Sequence, residues 1–224
     1  MTSVQETIQP TERLVPHAKL KAIIGVLVFL SLPFLMGQLD LSFIVANVGM
    51  WWLLFALIVL WVYFVEKRTI ASIGWKGCST KTVLGGVGLG ILLFMLFGVV
   101  NVAIQAIGLE LSQETAVLFA SQPWPVLLLV VLRAAVVEEV LYRGYCFERL
   151  FELTGSRLLA GLLPLIVFTL AHLGWGVGHL LFVFLAGGLF AIIYATKRNL
   201  ALLIVAHFTV DALALMVLPL MLGS

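Results

Sequence analysis

Apolar residues in this 224-residue chain fall into long unbroken blocks instead of alternating with polar ones. A hydrocarbon layer about 30 Å thick needs ~20 mostly apolar residues to be crossed as a helix. Seven blocks approach that length: Ala22–Gln38, Ser42–Val65, Thr82–Gly108, Trp124–Phe147, Leu158–Leu173, Val177–Thr196 and Leu200–Leu220. The first and fifth are short and contain Pro33 and Pro164. The first is read as a retained span, because Leu35-Met36-Gly37-Gln38 lacks the small-residue pattern of a cleavage site. The pattern predicts an all-α fold: a polytopic bundle of about seven (six to eight) spanning helices, one domain over residues 18–224 behind a polar tail at 1–17. Gly86 and Gly90 give the third block the small-xxx-small spacing of closely approaching helices.

Composition narrows the class. Some 62% of residues are apolar and only 11% charged, against about 25% charged in a soluble domain. So few charges cannot cover a soluble surface of this size. A net charge of +2 is too small for a phosphate-binding face, and no nucleic-acid partner is expected. The cations fix an orientation instead. Arg13, Lys19 and Lys21 precede the first span; Lys67, Arg68, Lys76 and Lys81 follow the second; Arg149 and Arg157, then Lys197 and Arg198, follow the fourth and sixth. The intervening loops hold Asp40, Glu110 and Glu114 and no Lys or Arg. This alternation predicts an inner-membrane protein with a cytoplasmic N-terminus. Cys78 and Cys146 then both lie on the reducing side, so no disulfide is expected, and neither has a ligand-spaced partner for zinc. Trp51, Trp52, Trp75, Trp124 and Trp175, near span ends, read as interfacial anchors. The loop Glu110–Gln122 has room for a short surface helix.

The informative positions are polar residues inside the apolar blocks. The fourth carries Arg133, Glu138, Glu139 and Arg143. Each charge costs ~2.5–3.5 kcal/mol at a helix centre, about 12 for four, while about a dozen Leu, Val and Phe return roughly 5. Facing lipid, this helix would be unfavourable, so it must line the bundle interior. On α-helical geometry Glu139 and Arg143 share a face and pair. Glu138 is then left without a cation and free to act as a general base. Arg133 points away from Glu138 and is assigned no partner.

Two further blocks add His172, and His207 with Asp211 one turn later. His179, at the start of the sixth block, reads as a solvated interface residue. Groups on three helices meet only in a bundle core. A carboxylate and a histidine can hold and deprotonate water; a second histidine with a hydrogen-bonding partner can stabilise an oxyanion. That is sufficient for amide hydrolysis. No G-x-S-x-G turn is present, and Cys146 matches no nucleophile position. Three other readings stay open: a divalent-metal protease, although HExxH is absent; a proton-coupled transporter, although no paired halves are evident; and a non-proteolytic immunity or scaffold protein of the same fold.

Glu138-Glu139-Val-Leu-Tyr-Arg143 matches EExxxR, Phe168-Thr-Leu-Ala-His172 matches FxxxH, and His207-Phe-Thr-Val-Asp211 matches HxxxN/D. In this order, on separate apolar helices across residues 124–215, the motifs resemble the CPBP intramembrane proteases, which include CAAX prenyl endopeptidases and bacterial abortive-infection (Abi) proteins. The resemblance implies a glutamate-dependent endopeptidase, without cofactor or metal, that cleaves a membrane-embedded or lipid-anchored peptide. It implies Glu138 as base, His172 as its partner on water, Glu139 and Arg143 as a supporting pair, and His207 with Asp211 on the oxyanion side. The family often has Asn where this chain has Asp211; an ionised carboxylate cannot donate to an oxyanion, so Asp211 is expected to orient His207. At 1.5 Å per residue, Glu138 lies about 16 Å from Arg149 and His207 about 14 Å from Arg198, but His172 roughly 22 Å from Arg157. Equal depth is then expected only if the fifth helix starts near Pro164, with residues 150–163 lying along the interface.

Overall fold

The computed structural model describes residues 16–109, 117–119 and 121–217, and these are helical apart from short connections. Seven rods follow the seven apolar blocks: α1 (Pro16–Met36), α2 (Val45–Val65), α3 (Thr80–Ala106), α4 (residues 124–154), α5 (Arg157–Leu170), α6 (Val177–Lys197) and α7 (Leu200–Val217). Five of them, α1, α2, α3, α6 and α7, are long and apolar enough to cross a membrane. Residues 1–15 of the expected tail, 110–116 and 120 of the expected outer-loop helix, and 218–220 of the last span lie outside the described residues.

Three helix starts carry side-chain caps. Ser79 accepts from the backbone N–H of Thr82 at the head of α3, Ser156 from Leu159 at the head of α5, and Asn199 from Leu202 at the head of α7. Gly155, at φ +70°, closes α4 in the left-handed conformation that glycine adopts without strain.

Burial is inverted relative to a soluble protein. Leu158, Leu84, Val102 and Leu27 are 65–73% exposed, whereas Arg149 and Glu139 are at most 1% exposed. An apolar girdle of this extent is a surface for acyl chains. The chain is a multi-pass membrane protein.

α3 and α7 make the closest pair. A Cβ added at Gly86 would sit 2.6 Å from the Val205 Cβ; one at Gly90 would sit 2.5 Å from the Thr209 Cβ and 2.7 Å from the Ala206 carbonyl oxygen. The expected close approach is therefore present, and backbone contact replaces side-chain packing.

Two expectations about α4 and α5 are corrected. The fourth rod does not stop at Phe147; it runs on to Thr154, turns at Gly155, and α5 returns from Arg157 without an interfacial segment. Pro164 does not break α5. The sequence hid the extension because Glu148 and Arg149 interrupt the apolar run, yet both are buried against partners: Glu148 with Tyr194 (2.5 Å) and Arg198, Arg149 with Glu66 (2.6 Å). The Glu148–Arg198 pair also puts those two residues at one level. The α4–α5 hairpin therefore reaches on the order of 10 Å past Arg198. Measured from that level, Glu138, His207 and His172 all lie at roughly 15 Å, so one depth needs no shortened helix.

Gly90→Ala would gain ~1 kcal/mol of helix propensity, but the Thr209 and Ala206 contacts set against it an overpacking cost of ~1–3 kcal/mol. It is expected to lower the melting temperature in detergent. Gly88→Ala, where nothing lies within 4 Å, is expected to leave it unchanged or raised.

Candidate active site

The residues at the centre of α4 do not wind as an ordinary helix. Trp124–Arg133 and Phe147–Thr154 are α-helical, but Ala134–Cys146 between them forms wide π turns closed by i→i+5 bonds. Such turns bring residues four and five apart onto one stripe. Arg133 therefore reaches Glu138, five residues on, with its Nη1 2.7 Å from Oε1. This corrects the expectation that Arg133 points away and that Glu138 lacks a cation; that expectation assumed 3.6 residues per turn throughout. Glu139 and Arg143 also pair, at 2.9 Å.

Glu139 is fully buried and serves two helices. Its Oε1 accepts from Arg143 Nη1 and from His207 Nδ1 on α7, each at 2.9 Å. Arg143 spends its Nη2 on the Gly187 carbonyl of α6, 2.9 Å away, and lies over the Phe168 ring. The pair thus clamps α4 to α6 and α7. The His207 Nε2 faces Asp211 Oδ2 at 3.4 Å, so both ring nitrogens look at carboxylates and one proton must be shared on the Asp211 side. In this arrangement the ring offers no unengaged N–H for an oxyanion.

His172 ends α5. Its Nδ1 lies 2.8 Å from the Phe168 carbonyl oxygen, which can only accept, so Nδ1 carries the proton. In the neutral ring Nε2 is then a free lone pair, the form that binds and deprotonates water.

Glu138, Glu139, Arg143, His172, His207 and Asp211 all line one cavity of about 370 Å³ between α4, α5, α6 and α7. Arg133, Trp175 and His179 line it too. Trp175 packs tilted against His179 (ring centroids 4.5 Å) and edge-on to His172 (5.2 Å), so it faces the site and is no simple interface anchor; His179 is half-buried and not freely solvated. Sequence reasoning missed these because the turn between α5 and α6 folds inward, which helix periodicity does not show. Arg133 lies over Trp51 (4.8 Å). Its Nε and the Glu139 Oε2 have no hydrogen-bond partner in the protein among the described residues. Cys146 is buried and Cys78 exposed, both as free thiols. Among the described residues no group of three or more His, Cys, Asp or Glu is arranged to hold a metal ion.

Residues 120–213 match the family model described as Type II CAAX prenyl endopeptidase Rce1-like. This stretch is similar to the Rce1-like family. The matched stretch, a little under half of the chain, contains all three motifs and every cavity-lining residue named above. The family is one of proteases, which agrees with the resemblance drawn from the motifs. No curated protein and no solved structure matches the chain.

Glu139→Ala would strand Arg143 and His207 in the bundle core. Breaking a buried pair typically costs about 3–5 kcal/mol. This variant is expected to lose its cooperative melt, measured by thermal unfolding in detergent, whereas Asp211→Asn, at a position a quarter exposed, is expected to keep it.

Proposed function

We propose that this protein is an intramembrane endopeptidase in which Glu138 and His172 activate a water for attack on a peptide bond, with no metal or cofactor. The observation that carries the reading is the single cavity shared by all six motif residues from α4, α5 and α7.

The roles follow from what each group has left to offer. Arg133 occupies Oε1 of Glu138 and leaves Oε2 for water. The His172 Nε2 lone pair accepts the second water hydrogen bond. The water oxygen bonds to the carbonyl carbon as its proton passes to Glu138. The C–N bond then breaks, the proton moves to the leaving nitrogen, and a carboxylic acid and an amine result. The developing oxyanion needs a donor, and His207 supplies one when Asp211 swings off Nε2; Glu139 holds the ring by Nδ1 and keeps it cationic in that step. Asp211 thereby gates donation, and an ionised acid at that position is consistent with the HxxxD form of the motif.

The substrate is a membrane-embedded or lipid-anchored peptide, because the site lies roughly 15 Å from the level of Arg198, near the middle of a ~30 Å hydrocarbon layer. The basic residues at one end of the bundle support an orientation with that end, and the N-terminus, on the cytoplasmic side of the inner membrane.

Glu138→Gln keeps an acceptor for Arg133 but cannot take a proton. It is expected to lower cleavage of a membrane peptide by ~10³-fold or more, while the melting temperature stays within a few degrees. Residual turnover near wild type would remove the base assignment. Glu138→Ala is a poorer test, since it strands Arg133 in the core. A chelator is expected to leave the rate unchanged; loss of activity restored by a divalent ion would replace this mechanism with a metal-dependent one. Proton-coupled flux in liposomes without cleavage would favour a transporter.

A further inference from the structure

A second polar cavity, of about 160 Å³, lies at the basic end of the bundle, away from the motif residues. His17 and Lys21 of α1, Glu66 and Arg68 after α2, and Arg149 and Glu152 of α4 line it. Nothing in the hydrolytic reading uses it.

Its two carboxylates are already spent. Glu66 accepts from Arg149 through Nε (2.9 Å) and Nη2 (2.6 Å), from the Tyr145 hydroxyl (2.8 Å) and from Trp61 Nε1 (3.3 Å). Glu152 accepts from Arg68 Nη1, at 2.6 and 2.8 Å, and from Arg149 Nη1 at 3.5 Å. The cations are not spent. Lys21 donates only to the Val65 carbonyl, at 2.7 Å, and has no carboxylate within ion-pair distance among the described residues. Arg68 keeps its Nε and Nη2 edge, and His17 is exposed. The cavity therefore presents one unmatched ammonium, the open edge of a guanidinium and an imidazole. At ~30 Å³ per water it has room for about five, more than a phosphoryl group needs.

Its level matters as well. Beside and beyond Lys21, on the same helix, Leu20, Ile24 and Leu27 are apolar and 41–65% exposed. A ligand seated in the cavity can lay hydrocarbon along these side chains. Basic pockets between spanning helices at the headgroup level are the usual receptors for anionic lipid headgroups.

We propose that this cavity is a phosphoryl-anion site, filled by the headgroup of an anionic phospholipid whose acyl chains run down α1. Lys21 and Arg68 bind the phosphoryl oxygens and His17 closes the outer side. The ligand joins α1 and the α2–α3 connection to Arg149 and Glu152, on the rod that carries Glu138 and Glu139. It is independent of the hydrolytic reading, since none of its residues lines the catalytic cavity.

The test uses the full chain, delipidated in a neutral detergent, and native mass spectrometry with added phosphatidylglycerol or phosphatidylcholine. Phosphatidylglycerol is expected to be retained and phosphatidylcholine not. Lys21→Gln, which removes only one bond to a backbone carbonyl from the fold, is expected to weaken retention by roughly tenfold. Lys21→Arg is expected to restore it, and Lys19→Gln, outside the cavity, to have no effect. Inorganic phosphate displacing the lipid at millimolar concentration would assign the site to free phosphate; displacement failing would assign it to the headgroup. Equal retention by wild type and Lys21→Gln, or of the two lipids by wild type, would overturn the proposal.

Discussion

A carboxylate with no exposed surface, Glu139, holds the motif-bearing half of the molecule together. In water an ion pair at 3 Å is worth little, but in the interior of a bundle wrapped in lipid the same pair is weakly screened, and either partner alone carries a desolvation penalty of several kcal/mol. Arg143 and His207 both meet one oxygen of Glu139, and Arg143 reaches on to the Gly187 carbonyl. Three helices are thus fixed by polar contacts where lipid-facing apolar residues give no preference for one neighbour over another. Gly187 takes part through its size as well as its carbonyl: a Cβ there would sit 3.1 Å from the Phe168 ring.

The same logic operates at the basic end. Arg149, Glu66 and Tyr145 join α4 to α2, while Glu148, Tyr194 and Arg198 join it to α6. α4 is consequently the polar axis of the protein, charged at its centre and at its basic end, and the remaining rods shield it. Its charges keep it out of the five rods that qualify as spans by length and composition. An axis of this kind cannot face lipid, so the bundle must close around it.

Much of this was legible in the sequence. The seven rods follow from the length a hydrocarbon layer imposes, a close helix approach at α3 from the Gly86–Gly90 spacing, though not its partner α7, and the Glu139–Arg143 pair from the four-residue interval. What escaped has specific causes. The Arg133–Glu138 pair depends on π turns, and a five-residue interval on an α-helix separates the two side chains. The extension of α4 to Thr154 was concealed by charges whose partners, Glu66 and Arg198, lie 83 and 50 residues away. His179 and Trp175 enter the cavity through a turn whose direction no periodicity encodes.

The π turns bear on chemistry as well as geometry. An α-helical α4 would leave Glu138 buried without a cation, an uncompensated charge in the bundle core. Winding the segment wide instead brings Arg133 beneath Glu138 and keeps one oxygen engaged while the other remains open to the cavity. A wide turn is less stable than an α turn, and such segments recur at functional sites for that reason. Here the cost is offset by two buried ion pairs on one stripe, one that holds the bundle and one that holds Glu138, the proposed base. Structure and reactivity in α4 therefore rest on the same local departure from regular winding.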